Sequence, residues 1–163
     1  MEKKLYTNDK NVPYTTTKIS PIKSNSDIDA VLSKWGITKI AWEFDIEHNK
    51  VLIHFELPRE TFSDMTMNPI IRLEPPRIWN KPKRGKPEEI NWQVSMRILH
   101  WFIKTTLEMS YAMQSQKVVA FLPHIQSGEK TVKDIIIPRL SLLKALPEEI
   151  PENEVEIIPP KKK

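Results

Sequence analysis

The chain has 163 residues, enough for one domain with a real hydrophobic core and too few for two comfortable ones. Apolar residues make up 39% and charged residues 28%, with a formal net charge of +4, a balance that permits a polyanionic partner without demanding one. With no cysteine, disulfides, thiolate nucleophiles and sulfur-based zinc sites are excluded, and three glycines leave no room for a phosphate-cradling Gly-rich loop.

No run approaches the roughly 20 apolar residues of a membrane span. The opening MEKKLYTNDK has no apolar h-region. The expectation is a cytoplasmic protein without a membrane partner, in the host cytoplasm if the chain is viral.

In chain order, residues 1–13 read as a flexible N-terminal arm, 14–146 as a single domain and 147–163 as a proline-rich charged tail, PEEIPENEVEIIPPKKK. YTTTKIS (14–20) is rich in Thr and Ile and predicts a short strand. Ser24, Asn25, Ser26 and Asp27 are N-cap candidates for a two-turn helix, IDAVLSKW, which Gly36 would end as its C′ residue.

ITKIAWEFDI (37–46) and VLIHFEL (51–57) alternate apolar and polar residues, with EHNK between them as a hairpin turn. The expected register pairs Ile46 with Val51, Phe44 with Ile53 and Trp42 with Phe55, and sets Glu43 opposite His54. NPIIRLEP (68–75) predicts a third strand. PRIWNKPKRGKP (76–87) predicts a basic loop punctuated by prolines.

Pro87, Glu88 and Glu89 suit the first turn of a long helix over about 88–115. KVVAFLPHI (117–125) is an apolar run that suits either a helix continuation or a strand. QSGEK is a turn, and Thr131 with Asp134 resembles a capping box for a last helix kinked by Pro138. The expected fold class is α+β: a small antiparallel sheet with one apolar face packed by a long helix, plus short N-terminal and C-terminal helices.

Four features in this order carry a resemblance. They are the short Asp-bearing helix ending in Gly36, the Trp/Phe-rich hairpin, the helix with Arg97, Lys104 and Glu108, and the turn with Thr131, Val132, Asp134 and Pro138. Over about residues 12–145 the chain resembles a family of small uncharacterised proteins carried by phages and prophages. The resemblance implies a genomic setting and assigns no activity. The basic insertion before the long helix and the terminal KKK depart from the family pattern.

Three groupings bear on function. Arg72, Arg77, Lys81, Lys83, Arg84 and Lys86 surround Trp79 with only Glu74 as counter-charge. Cations neutralise phosphates, and an indole can stack on an unpaired base, so nucleic acid is the expected partner, single strands slightly favoured. The alternatives are a solvated loop with Trp79 folded back on the core and an acidic protein partner.

The long helix carries a second grouping, Arg97, Trp101, Lys104, Glu108 and Tyr111, opposite a core stripe of Leu99, Phe102, Ile103 and Leu107. The preferred reading buries both sides, with the sheet on one and the C-terminal helix on the other. The competing reading is a face for a protein partner or a homo-oligomer. In the third grouping Glu43, Asp45, His54 and Glu56 share the outer hairpin face, where a metal-dependent nuclease would place ligands and where ordinary strand-surface polarity is the simpler explanation. No cofactor is expected. The histidines lack H-x3-H and HExxH spacing, and no serine stands in G-x-S-x-G. The function expected from these residues is a non-enzymatic nucleic-acid-binding accessory protein of a phage or mobile element.

Overall fold

The computed structural model describes residues 4–58, 68–82, 84–85 and 87–140. The expected α+β architecture is present, and its elements differ from the sequence expectation at definite points.

The N-terminal residues are fastened at their described end. Strand β1 (Leu5–Tyr6) pairs in parallel with β5 (Ile78–Trp79), Leu5 against Ile78 and Tyr6 against Trp79. The Thr7 amide extends the pairing by donating to the Trp79 carbonyl at 2.9 Å. Val12 is buried against Ile78 and Val94 in a small second core. Residues 14–16 form a turn and 17–20 are irregular, in place of the expected strand. Tyr14 adopts a left-handed conformation (φ 61°), which an extended segment cannot contain, and the Thr17 amide donates back to the Tyr14 carbonyl.

Helix α1 (Pro21–Lys34) starts about two turns earlier than expected. Ser20 is the N-cap, its hydroxyl accepting from the Lys23 amide, and Pro21 supplies the preset φ of a first helical residue. Ser24 then falls inside the helix and faces the core. The end is as expected. Gly36 has φ 76°, its amide donates to the Ser33 carbonyl and the Ile37 amide to the Leu32 carbonyl, both at 3.0 Å. This is a Schellman closure, and it delivers Ile37 fully buried into the core.

Strands β2 (Ile40–Asp45), β3 (Lys50–Glu56) and β4 (Ile70–Leu73) form an antiparallel sheet in the order β2-β3-β4. The hairpin register is two residues from the expected one: Phe44 pairs with Val51, Trp42 with Ile53 and Ile40 with Phe55. A two-residue shift preserves the faces. The loop has the expected four residues but sits one position earlier, at 46–49 instead of 47–50, so that Asp45 pairs with Lys50. Asn49 takes φ 50°, and Asp45 Oδ1 accepts from the His48 amide at 3.0 Å. Ile46 therefore leaves the strand and is almost wholly exposed.

Helix α2 (Trp92–Ala112) packs on the apolar sheet face beside α1. The main core joins Ile53, Phe55, Leu57, Ile71 and Leu73 from the sheet region to Leu99, Ile103 and Leu107 of α2 and Ile28 and Leu32 of α1. The helix starts later than expected, at the N-cap Asn91, whose side chain accepts from the Val94 amide. Pro87–Glu89 stay outside because the chain before α2 runs beside β5. There the Asn80 amide donates to the Glu89 carbonyl, the Asn91 amide to the Ile78 carbonyl, and Ile90 bridges Trp79.

The ambiguous 117–125 run is neither a continued α2 nor a strand. It forms a single turn, α3 (Lys117–Ala120), then a 3₁₀ turn over Leu122–His124, with Phe121 fully buried between them. A two-stranded hairpin, β6 (Gln126–Ser127) and β7 (Lys130–Thr131), turns at Gly128 and leads into α4 (Val132–Leu140). The Thr131–Asp134 contact is present, Asp134 Oδ2 accepting from both the amide (2.9 Å) and the hydroxyl (2.7 Å) of Thr131. Pro138 lies inside α4 as expected. The charged tail, 147–163, lies outside the described residues. No helix among the described residues is long and apolar enough to cross a membrane.

Candidate nucleic-acid interface

The basic segment is divided by the fold into committed and uncommitted cations. Arg72 projects from β4, and its guanidinium donates to the Glu129 carbonyl at 2.7 Å, tying the sheet to the β6–β7 turn. Arg77 folds onto Glu74, with Nε and Nη2 3.3 and 3.2 Å from one carboxylate oxygen. These two arginines act first as internal ties.

Trp79 is half-buried in β5. Lys4 Nζ lies 4.6 Å over its ring centre, a cation–π contact, and also bonds the Glu88 carboxylate. Tyr6 donates its hydroxyl to the other Glu88 oxygen at 3.1 Å. Lys4, and after it Tyr6, hold the Glu88 carboxyl below its usual range, while Glu88 raises the Tyr6 phenol. One face of the expected stacking platform is therefore covered by the protein's own ammonium group. The polar N-terminal sequence hides this: Lys4, Tyr6 and Glu88 belong to the site, and the only local signal is the short Leu5-Tyr6 pair.

Lys81 and Arg84 behave differently. Both side chains are exposed, and neither has an ion-pair partner among the described residues. Lys83 and Lys86 lie outside the described residues. Lys81 lines a groove of about 420 Å³ with Thr7, Asn80, Pro82, Pro87 and Glu88. Its lining also includes Glu89, so one cation, Lys81, shares it with two carboxylates, of which Glu88 is paired with Lys4.

The second grouping, on α2, is covered, but not in the expected way. Arg97 donates to Asp27 of α1 at 3.0 Å in a largely shielded ion pair. Trp101 is half-buried beneath Tyr14, whose ring stacks on it at 6.0 Å with 10° between planes. Arg97 and Lys104 lie 5.6 and 4.7 Å from the Trp101 ring centre. Lys104 and Glu108 form the i,i+4 pair at 3.2 Å. The cover comes from α1 and Tyr14 at the N-terminal end of the fold, whereas α4 packs on the 3₁₀ turn and β7. Tyr111 stays 75% exposed, with its ring edge-on to Trp35. Phe102, assigned to the core stripe, sits at its margin, edge-on to Phe121 and His124.

The outer hairpin carboxylates do not converge. Asp45 turns to His48 (2.7 Å) and Glu56 to Lys39 (2.9 Å) and Asn68. Glu43 reaches His54 at 3.3 Å, diagonally, because His54 pairs with Ala41 in the observed register. Among the described residues no group of three or more His, Asp or Glu side chains is arranged to hold a metal ion. No family model, curated protein or solved structure matches the chain.

Proposed function

We propose that this chain is a non-enzymatic nucleic-acid-binding accessory protein, and that the segment between β5 and α2 contacts phosphates. The observation that carries this reading is the exposure of Lys81 and Arg84 with no ion-pair partner among the described residues, on a connector whose sequence adds Lys83 and Lys86. A cation without an internal partner loses no ion pair when it meets a phosphate, and each such contact releases counterions. Trp79 is a secondary element. Lys4 covers one face of its ring, so a base that stacks on that face must displace Lys4. The likeness to phage-borne proteins supplies the setting proposed for this activity.

The test is a salt-titrated binding assay on the full chain with single- and double-stranded DNA and RNA. Retention at low salt, and its loss when Lys81, Lys83, Arg84 and Lys86 are replaced by Ser, supports the reading. Absence of binding at low salt for every nucleic acid removes it.

A second reading, a protein-binding module, is favoured by one observation. Met109, Tyr111 and Met113, all more than half exposed, crowd the C-terminal end of α2. Methionine and tyrosine supply adaptable, amphipathic contact area for a protein partner. Pull-down with a Tyr111→Ala, Met113→Ser variant as the control tests it.

A further inference from the structure

Strand β2 has an unpaired edge. Among the described residues it pairs only with β3, while the far side of the sheet is closed by the Ile71–Ile125 bridge. The Glu56 amide donates to the Lys39 carbonyl, so Lys39–Glu56 is a hydrogen-bonded pair of the antiparallel ladder. The alternation then directs the backbone groups of Ala41, Glu43 and Asp45 toward β3 and those of Ile40, Trp42 and Phe44 outward. Beside this edge stand two apolar side chains with little cover, Phe44 (58% exposed) and Ile46 (93%), and Ile22 of α1 (79%). A bare edge flanked by apolar groups is a template for another strand.

We infer that the occupant is a second copy of this chain, joined antiparallel through β2 about a two-fold axis at Trp42, making one six-stranded sheet. The sequence of the edge selects this partner. With Trp42 opposite Trp42, Ile40 faces Phe44 of the partner copy, and every outward backbone group in the three pairs is satisfied. On the other sheet face Glu43 meets Ala41 of the partner copy, and Asp45, which also holds His48, meets Lys39, which also holds Glu56, twice by symmetry. Opposite charges face each other and like charges do not. Sliding one copy by two residues in one direction sets Glu43 on its own counterpart. Sliding it in the other leaves only Ile40–Trp42 overlapped. A one-residue slip turns the outward groups away from each other.

The helices allow the approach. Asp29 of α1 accepts from Trp42 Nε1 at 3.0 Å, which places α1 along β2. Ser26 and Ser33 lie next to Asp29 around the helix, on the side away from Asp27, which holds α2. Both are small and exposed, so the two copies of α1 meet without bulk between them.

The test uses sedimentation of the full chain over a wide concentration range, with backbone hydrogen exchange. The wild type sediments as a dimer, with slow exchange at the Trp42 and Phe44 amides. Lys39→Glu and Asp45→Lys each sediment as monomers, because each sets like charges together at two places, and exchange at those amides becomes fast. An equimolar mixture of the two variants restores the dimer, since every cross-copy pair is again opposite in sign. A wild type that stays monomeric at every soluble concentration, single variants that remain dimeric, or a mixture that fails to associate overturns the inference.

Discussion

The Tyr14 ring lies nearly parallel to Trp101, and Tyr14 holds that position with its backbone in the left-handed region at φ 61°. A residue with a Cβ takes this conformation at a cost of about 1–2 kcal/mol. The stacked pair offsets about 0.5–1.5 kcal/mol of that beyond its buried area. The contact is the lid over the aromatic face of α2, and α1 alone does not provide it.

Replacing Tyr14 separates the two effects. Tyr14→Ala loses the ring and keeps the backbone strain. Tyr14→Gly loses the ring and removes the strain. The glycine variant is therefore expected to be the more stable of the two by about 1 kcal/mol, the reverse of the usual order, as read from urea midpoints.

Phe121 closes the core at the end of α3, edge-on to Phe55 at 5.5 Å and to Phe102 at 6.4 Å. Phe121→Ala leaves a cavity with no solvent to fill it and is expected to cost about 3–5 kcal/mol. Phe102→Ala, at the exposed margin, is expected to cost clearly less. Chemical denaturation of the two variants checks the order.

The phosphate contacts have a salt signature. For duplex DNA, each contact removed lowers the slope of log affinity against log salt by about 0.9. Lys81→Ser with Arg84→Ser is expected to reduce it by about twice that amount. Lys4→Ala removes a charge yet uncovers the Trp79 ring, so single-strand affinity should rise relative to duplex affinity. An equal fall for both would remove Trp79 from the interface.

His100 is buried, and its Nδ1 has no hydrogen-bond partner among the described residues. Burial, and next the Arg97 charge, push its pKa below the ordinary value; Lys104 adds to this and Asp27 opposes it. The folded state thus refuses a proton that the unfolded chain accepts. Stability is expected to be complete above about pH 6.5 and to decline as pH falls below it. His100→Gln should flatten part of that decline. His124, also lowered by burial and then by Lys133, supplies a further part. Asp27, held low chiefly by Lys23, loses its contribution only at more acid pH. Urea midpoints measured between neutral and mildly acid pH test the dependence.

Sequence periodicity by itself determined the antiparallel hairpin and its faces, the third strand, the long helix with Leu99, Ile103 and Leu107 inward, the Gly36 stop and the Thr131–Asp134 cap. These depend on neighbours a few residues away, within reach of local geometry and alternation. Only the tertiary structure decided the hairpin register, because Asn49 and Asp45 shape a four-residue loop that starts one position before EHNK. It also decided that the polar N-terminus pairs with β5, that Lys4 occupies one face of Trp79, and that Arg72 and Arg77 are ties while Lys81 and Arg84 have no ion-pair partner among the described residues. Lys4 and Glu88 lie 84 positions apart in the chain, and Arg72 and Glu129 lie 57 apart. A charge read along the chain shows its sign but not its partner, and the partner determines whether that charge remains available to a ligand.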